Sequence, residues 1–235
     1  MEYRKIVTLK DGRACTLRNG TAEDGQALLD NFILTHAQTD FLIDYPDEIT
    51  MTVEQERQFL KEKAESEREI EILAETGGSV TGSAGIWCIR DREKLRHRAG
   101  FGISVDEAYW SLGIGRALTE ACIECAKAAG YRQLELEVLA DNEKALALYR
   151  SLGFVDYGRN PRGINLRTSG YHALVLMRLE LDRPDAEQDS AGDRTAELRP
   201  LRTERLRMYP ASREQMEAMI ASEQDEELKK AYTDL

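Results

Sequence analysis

The sequence predicts an α+β domain, and three observations carry that assignment. Asp11-Gly12 and Gly77-Gly78 each separate two short apolar runs, the pattern of antiparallel hairpins. The segments opening at Thr21 and Ile114 carry apolar residues at helical spacing. From Phe101 to Phe154 the chain reads as strand, turn, helix, strand, helix.

In order, residues 6–9 and 14–17 are strands around Asp11-Gly12. A helix is expected from Thr21, with Asp24 in a capping-box position and Ala27, Leu28, Asn31 and Phe32 on one stripe. A second helix runs from near Thr52, with Gln55 as its reciprocal cap, to about Ser66. The connection 36–51 mixes apolar anchors (Phe41, Leu42, Ile43, Tyr45) with Asp40, Asp44, Asp47 and Glu48. It reads either as a solvated loop pinned by two aromatics or as an acidic lip for a cationic amine. Residues 70–74 and 80–89 form the second hairpin, and Gly82 and Gly85 mark a bulge or a close approach. A charged turn at 91–98 leads into the strand 99–105.

The turn Tyr109-Trp110-Ser111-Leu112-Gly113-Ile114-Gly115-Arg116 then opens a long helix. Its stripe is Ile114, Ala117, Leu118, Ala121, Cys122, Cys125 and Ala128. Cys122 and Cys125 therefore read as core thiols. They lie mid-helix, no second pair completes a zinc site, and no metal is expected. Strand 134–139 follows, with Leu134, Leu136 and Val138 on one face and Glu135, Glu137 and Leu139 on the other. Two carboxylates on a central strand require a polar cavity or partners. Asn142 starts a short helix that stops at Gly153. Strands 154–158 and 171–181 close the domain, joined by a flexible connector at 160–170, and His172 reads as structural.

The chain has 235 residues and a net charge of −11, which argues against nucleic acid as a general partner. It contains no apolar run of membrane-spanning length and opens on an acidic Met1-Glu2, so a cytoplasmic protein without a membrane partner is expected. The four cysteines fit reduced thiols in that compartment. Residues 1–181 form the domain and 182–197 have the composition of an acidic linker. In 198–235 a strand at 203–209 and a helix from Ser212, with Met216, Met219 and Ile220 on one face, repeat the pattern of the first domain's opening. This segment is either a truncated second copy or a C-terminal arm that docks.

A glycine-flanked turn opening a helix presents unpaired backbone N–H groups at the positive end of the helix dipole, an anion site. The dinucleotide fingerprint fails because Leu118 stands at its third glycine, and no Gly-Lys-Ser/Thr follows for a P-loop. The order of elements resembles the GCN5-related N-acetyltransferase (GNAT) superfamily. Gly113 and Gly115 fit its Q/R-x-x-G-x-G/A signature, with Trp110 departing at the first position. Asn142, Ala145, Tyr149, Gly153 and Phe154 fit N-x-x-A-x-x-x-Y-x-x-x-G-F. The close resemblance covers about a quarter of the chain, and compatible order extends it over most of residues 1–181.

The resemblance implies a mixed, mostly antiparallel sheet with helices on both faces and a splayed parallel strand pair. It implies acetyl-CoA as cosubstrate and an amine of a small molecule or peptide as acceptor, with homodimer formation left open. Trp110, Ser111, Leu112, Gly113, Ile114, Gly115 and Arg116 would hold the pyrophosphate, largely through backbone N–H groups. Arg116 and Lys144 could add charge or be ordinary solvated cations. Ile103 and Val105 would offer backbone to the pantetheine arm, and Asn142 and Ala145 would complete the cofactor site. Tyr149 would protonate the leaving thiolate. In ribosomal-protein N-terminal acetyltransferases, which this segment resembles, a glutamate twelve residues before the tyrosine is the proposed base, and Glu137 fits. Glu137 as a structural carboxylate, a water chain in place of a base, and a non-catalytic acyl-CoA-binding domain stay open as alternatives.

The tail is expected to be dispensable for this fold. A chain ending at Arg183 should keep a cooperative melt and bind acetyl-CoA, and loss of soluble protein on that truncation would show that the tail docks as part of the domain.

Overall fold

The computed structural model describes residues 1–182 and the backbone at 201–202 and 207–208. The chain divides into two units, Met1–Pro184 and Asp185–Leu235. In the second, the described residues form a two-stranded antiparallel ladder, β9 (Leu201–Arg202) with β10 (Arg207–Met208). The rest of the strand expected at 203–209 and the helix expected from Ser212 lie outside the described residues.

The first unit is built on one sheet. Its strands are β1 (Arg4–Thr8), β2 (Ala14–Asn19), β3 (Ile70–Thr76), β4 (Ser79–Cys88), β5 (Arg98–Val105), β6 (Gln133–Leu139), β7 (Val155–Leu166) and β8 (Gly170–Glu180). Their order is β1-β2-β3-β4-β5-β6-β8-β7, and every neighbouring pair is antiparallel except β5 with β6. Gly77 and Gly78 both take positive φ, 61° and 83°, as a two-residue hairpin loop demands. The bulge expected near Gly82 is present. Ala74 pairs with Gly82 and Glu75 with Val80, leaving Thr81 as the extra residue, its hydroxyl donating to the Ala74 carbonyl at 3.1 Å.

Four α-helices cover the sheet: α1 (Gly25–Gln38), α2 (Val53–Glu65), α3 (Ile114–Ala128) and α4 (Glu143–Ser151). On one face Ile70, Ile72, Ile86 and Phe101 join Ile114, Leu118 and Cys122 of α3 and Leu146 of α4 in the main core. On the other face Leu73 meets Leu28 of α1 and Leu60 of α2. The fold is therefore α+β, a mixed and mostly antiparallel sheet with helices on both faces. The Thr52–Gln55 capping box at α2 is reciprocal, with Thr52 N donating to Gln55 at 2.8 Å and Gln55 N to Thr52 at 3.3 Å. Asp24 takes the Thr21 amide at 2.9 Å and also binds the Arg18 guanidinium through two bonds of 2.8 and 2.7 Å.

Three details differ from the sequence reading. A 3₁₀ turn, Ala22–Asp24, precedes α1, whose buried residues include Leu28, Leu29, Asn31, Thr35 and His36, while Phe32 is half-buried and Ala27 exposed. Ala128 is likewise exposed at the end of α3. Residues 160–170 are not a flexible connector: β7 continues to Leu166 and pairs with β8 beyond two irregularities, at Asp156/Gly158 and Asn160/Ile164. This edge strand is exposed over most of its length, so no apolar alternation betrays it. Pro161 falls at an irregularity of an edge strand, where a missing N–H costs no ladder bond.

Gly85 marks a close approach by a side chain. A Cβ there would lie 2.1 Å from Glu71 Oε2. Burial pushes the Glu71 carboxyl from its ordinary 4.5 up to about 7, against a smaller opposing effect of the Ser83 hydroxyl. The folded state therefore holds a proton that the unfolded state releases between about pH 4.5 and 7, and stability falls as pH rises through that window. Glu71→Gln, neutral at every pH, should match the parent near pH 4 and exceed its unfolding free energy at pH 8. Parallel urea-unfolding curves across that range would remove Glu71 as the source of the dependence.

Candidate active site at the splayed strands

The parallel ladder between β5 and β6 is short. It joins Arg98, Ala99 and Gly100 to Gln133, Leu134 and Glu135 and then ends. Beyond it β5 stays on β4 as far as Val105, while β6 stays on β8 as far as Leu139. A wedge thus opens between the two strands toward their C-terminal ends, with Ile103 on the β5 side.

The turn after β5 stands at the mouth of this wedge. Glu107–Tyr109 form a 3₁₀ turn, Ser111 takes φ 63° and Gly113 takes φ 107°. Gly113 is the N-cap of α3 and has no side chain to occupy the first helical amides. That left-handed position suits glycine, and the uncapped amides with the helix dipole make an anion-attracting end. The turn is anchored from outside, with Lys10 N donating to the Leu112 carbonyl at 3.0 Å and Gln38 donating to Asp106 at 2.9 Å. Leu112 and Gly115 are half-buried, Ser111 is exposed, and Ile114 is fully buried in the core.

Several candidates already have protein partners. Trp110 Nε1 donates to the Val105 carbonyl at 2.7 Å, so that carbonyl is not free backbone. Arg116 donates to Ser151 Oγ at 2.6 Å and lies 3.6 Å from Glu120. Lys144 sits over the Trp110 ring, 6.0 Å from its centroid. Asn142 is the N-cap of α4, its Oδ1 accepting from Ala145 N at 3.1 Å.

Tyr149 and Glu137 lie on opposite faces of the sheet. Tyr149 projects from α4 into the main core, edge-on to Phe101 with centroids 6.1 Å apart and 5.8 Å from Phe154. Burial holds its phenol well above the ordinary value, so the hydroxyl keeps its proton at neutral pH. Glu137 is exposed, opposite Leu176 of β8, on the face away from α3 and α4. The two carboxylates of β6 have separate fates. Glu135 is buried, bound by Arg98 through two nitrogens, one at 2.6 Å, and within 3.3 Å of the Tyr157 hydroxyl. No hydrogen-bond or ion-pair partner of Glu137 is seen among the described residues.

Other features of this face were missed in the sequence. The Trp87 ring of β4 lies over Gly100 and Gly102, 2.5 Å from where a Gly100 Cβ would stand, yet it is 42% exposed. Two glycines at alternate positions of one strand were the available signal. In the connection 36–51, Ile43 is no anchor, being 80% exposed, and Phe41 is exposed too. Tyr45 is the anchored residue. Arg167 donates its backbone N–H to the Tyr45 hydroxyl at 2.8 Å, stacks 4.0 Å from its ring and binds Asp47 at 2.7 Å. This connection is thus tied to the tip of the β7–β8 hairpin, a pairing across 120 residues that no local pattern announces. His172, set aside as structural, bonds to Asp141 and Ser169.

A separate cleft of about 720 Å³ lies between α4 and β7, lined by Leu146, Arg150, Tyr157 and Arg159 among others, and does not include the turn at Gly113. Among the described residues no cluster of His, Cys, Asp or Glu is placed to hold a metal ion. None of their helices is long and apolar enough to cross a membrane.

Comparison with known proteins agrees with this geometry. The model of the acetyltransferase (GNAT) family matches residues 33–154. The N-alpha-acetyltransferase RimI of Mycobacterium tuberculosis is 37% identical over 107 residues, 46% of this chain, and the match spans 64% of that relative's length. A GNAT-family acetyltransferase from Streptococcus pneumoniae superposes with a TM-score of 0.68 at 30% identity, over 71% of this chain and 99% of that one. The fold also matches yncA from Salmonella typhimurium, a putative acetyltransferase solved with its cofactor acetyl-CoA, with a TM-score of 0.64 at 21% identity over 74% and 98% of the two chains. A wedge between parallel strands, an uncapped helix start at its mouth and a family match across both make the conclusion direct: the chain belongs to the GNAT acetyltransferase family.

Proposed function

We propose that this chain is an acetyl-CoA-dependent N-acetyltransferase that moves an acetyl group directly to a primary amine of a small molecule or peptide. The observation that carries the reading is the wedge between β5 and β6, with the uncapped start of α3 at its mouth, a buried tyrosine on one face and a free carboxylate on the other. The acetyl-CoA in the Salmonella structure and the α-amine chemistry named for the mycobacterial relative support it. The four cysteines are free, as a reducing cytoplasm would keep them, and burial pushes the Cys125 thiol up to about 11.

In this reading the backbone amides of Ser111 to Arg116 hold the pyrophosphate, where the helix dipole offsets the chain's net −11 charge. Arg116 could turn from Ser151 toward the phosphates, and Lys144 beside Trp110 adds positive charge. Ile103 offers unladdered backbone to the pantetheine arm. Val105 bounds the arm while its carbonyl stays with Trp110, and Asn142 and Ala145 shape the far wall. Glu137 accepts the proton of the attacking amine, directly or through water, and Tyr149 gives its proton to the departing thiolate. Retention of both groups favours a catalyst over a binding-only domain of the same fold.

At about 100 Kd of acetyl-CoA, linkage predicts roughly 2–3 kcal/mol of added stability. An unmoved melting temperature under that condition would contradict cofactor binding. Gly113→Val should abolish the shift, since it crowds the phosphates, and its unliganded melt reports separately on the strain at φ 107°.

Tyr149→Phe keeps the ring packing and should lower kcat by on the order of 10²-fold with little change in acetyl-CoA affinity. Unchanged turnover, with chemistry shown to be rate-limiting, would remove Tyr149 from the mechanism. Glu137→Gln should lose most rate at low pH, where the amine is protonated, and recover toward alkaline pH. A parental pH profile would instead make Glu137 dispensable and assign the proton to water.

A further inference from the structure

The open end of the sheet gathers three side chains that acetyl transfer does not use. Asp141 follows β6 and His172 lies at the start of β8. The β6–β8 ladder ends at Leu139 with Leu174, and the turn that follows brings Asp141 against His172. His172 Nδ1 lies 2.5 Å from Asp141 Oδ2, and His172 Nε2 lies 2.7 Å from Ser169 Oγ. A carboxylate only accepts, so Nδ1 carries the hydrogen, and in the neutral imidazole Nε2 accepts from the Ser169 hydroxyl. Ser169 is exposed, whereas the imidazole keeps 23% of its side-chain surface. The hairpin tip that presents Ser169 is held in place by Arg167 on Asp47 and Tyr45.

Holding β8 against the turn after β6 would need only the His172–Asp141 contact. The serine on the far nitrogen adds an accessible hydroxyl, a base on its proton and a carboxylate fixing the tautomer of that base. These are the parts of an activated nucleophile, recognised by geometry rather than by order in the chain. We propose that Ser169, with His172 as its base and Asp141 orienting that base, is a second reactive centre that takes an acyl group from small activated esters and thioesters.

The step balances within these residues and the ester. Ser169 Oγ forms a bond to the acyl carbon while its proton passes to His172 Nε2. The tetrahedral adduct then expels the leaving group, an aryl oxide departing as the anion or a thiolate taking the proton back from His172. When the aryl oxide leaves, that proton goes to solvent. Water, deprotonated at Nε2, later releases the carboxylic acid and restores the serine. Asp141 keeps 61% of its side chain in solvent while contacting the imidazole. An aryl oxide is a far better leaving group than the serine alkoxide, so acylation by an aryl ester outpaces hydrolysis and acyl-enzyme should accumulate.

The test uses the full chain with p-nitrophenyl acetate and does not depend on amine acetylation. The expected result is a burst of p-nitrophenolate with an acetyl group mapped by peptide mass to Ser169, abolished in Ser169→Ala. Asp141→Asn should slow the burst by about tenfold or more while the thermal melt stays cooperative. His172→Gln should suppress it as well. Three outcomes would overturn the proposal: no acetyl at Ser169, labelling there no faster than at the exposed Ser111, or a burst in Asp141→Asn at the parental rate.

Discussion

The parting of β5 from β6 after three ladder positions is the constraint on which this molecule depends. Backbone N–H and C=O groups in a sheet interior are costly to leave unpaired. Each strand meets that demand on its outer side, β5 on β4 and β6 on β8, and leaves the inner edges for a ligand or water. The Arg98–Glu135 pair bridges the strands across the ladder, from its first rung on β5 to its last on β6. It is nearly desolvated on the glutamate side, with 9% side-chain exposure, so removing one partner would strand a buried charge beside the apex of the wedge. Trp110 closes back on Val105 at the end of β5.

Electrostatics divides the two faces. Main-chain dipoles at Gly113 add positive potential to an acidic chain without a buried cation. The opposite face carries Glu137, and Arg167 at the hairpin tip pairs with Asp47 and Glu48 of the connection 36–51. Trp87 and Tyr157 give that face apolar surface, 42% and 43% exposed respectively.

Local patterns in the sequence determined the elements. Turn glycines at 77 and 78, the Thr52–Gln55 cap, the stripe of α3 and the Asn142 cap are each encoded within a few residues, so each was legible. The family motifs are local too, and they led to Gly113, Tyr149 and Glu137, whose roles await the variants. Tertiary structure alone decided the pairings. It separated Glu135 from Glu137 by supplying Arg98 to the first and solvent to the second. It turned residues 160–166 into an edge strand, which has no buried face to imprint on the sequence. It tied Arg167 to Asp47, Trp87 to Gly100 and His172 to Asp141 across long separations in the chain. Such contacts are set by sheet register and chain crossover, which bring together residues that share no pattern along the sequence.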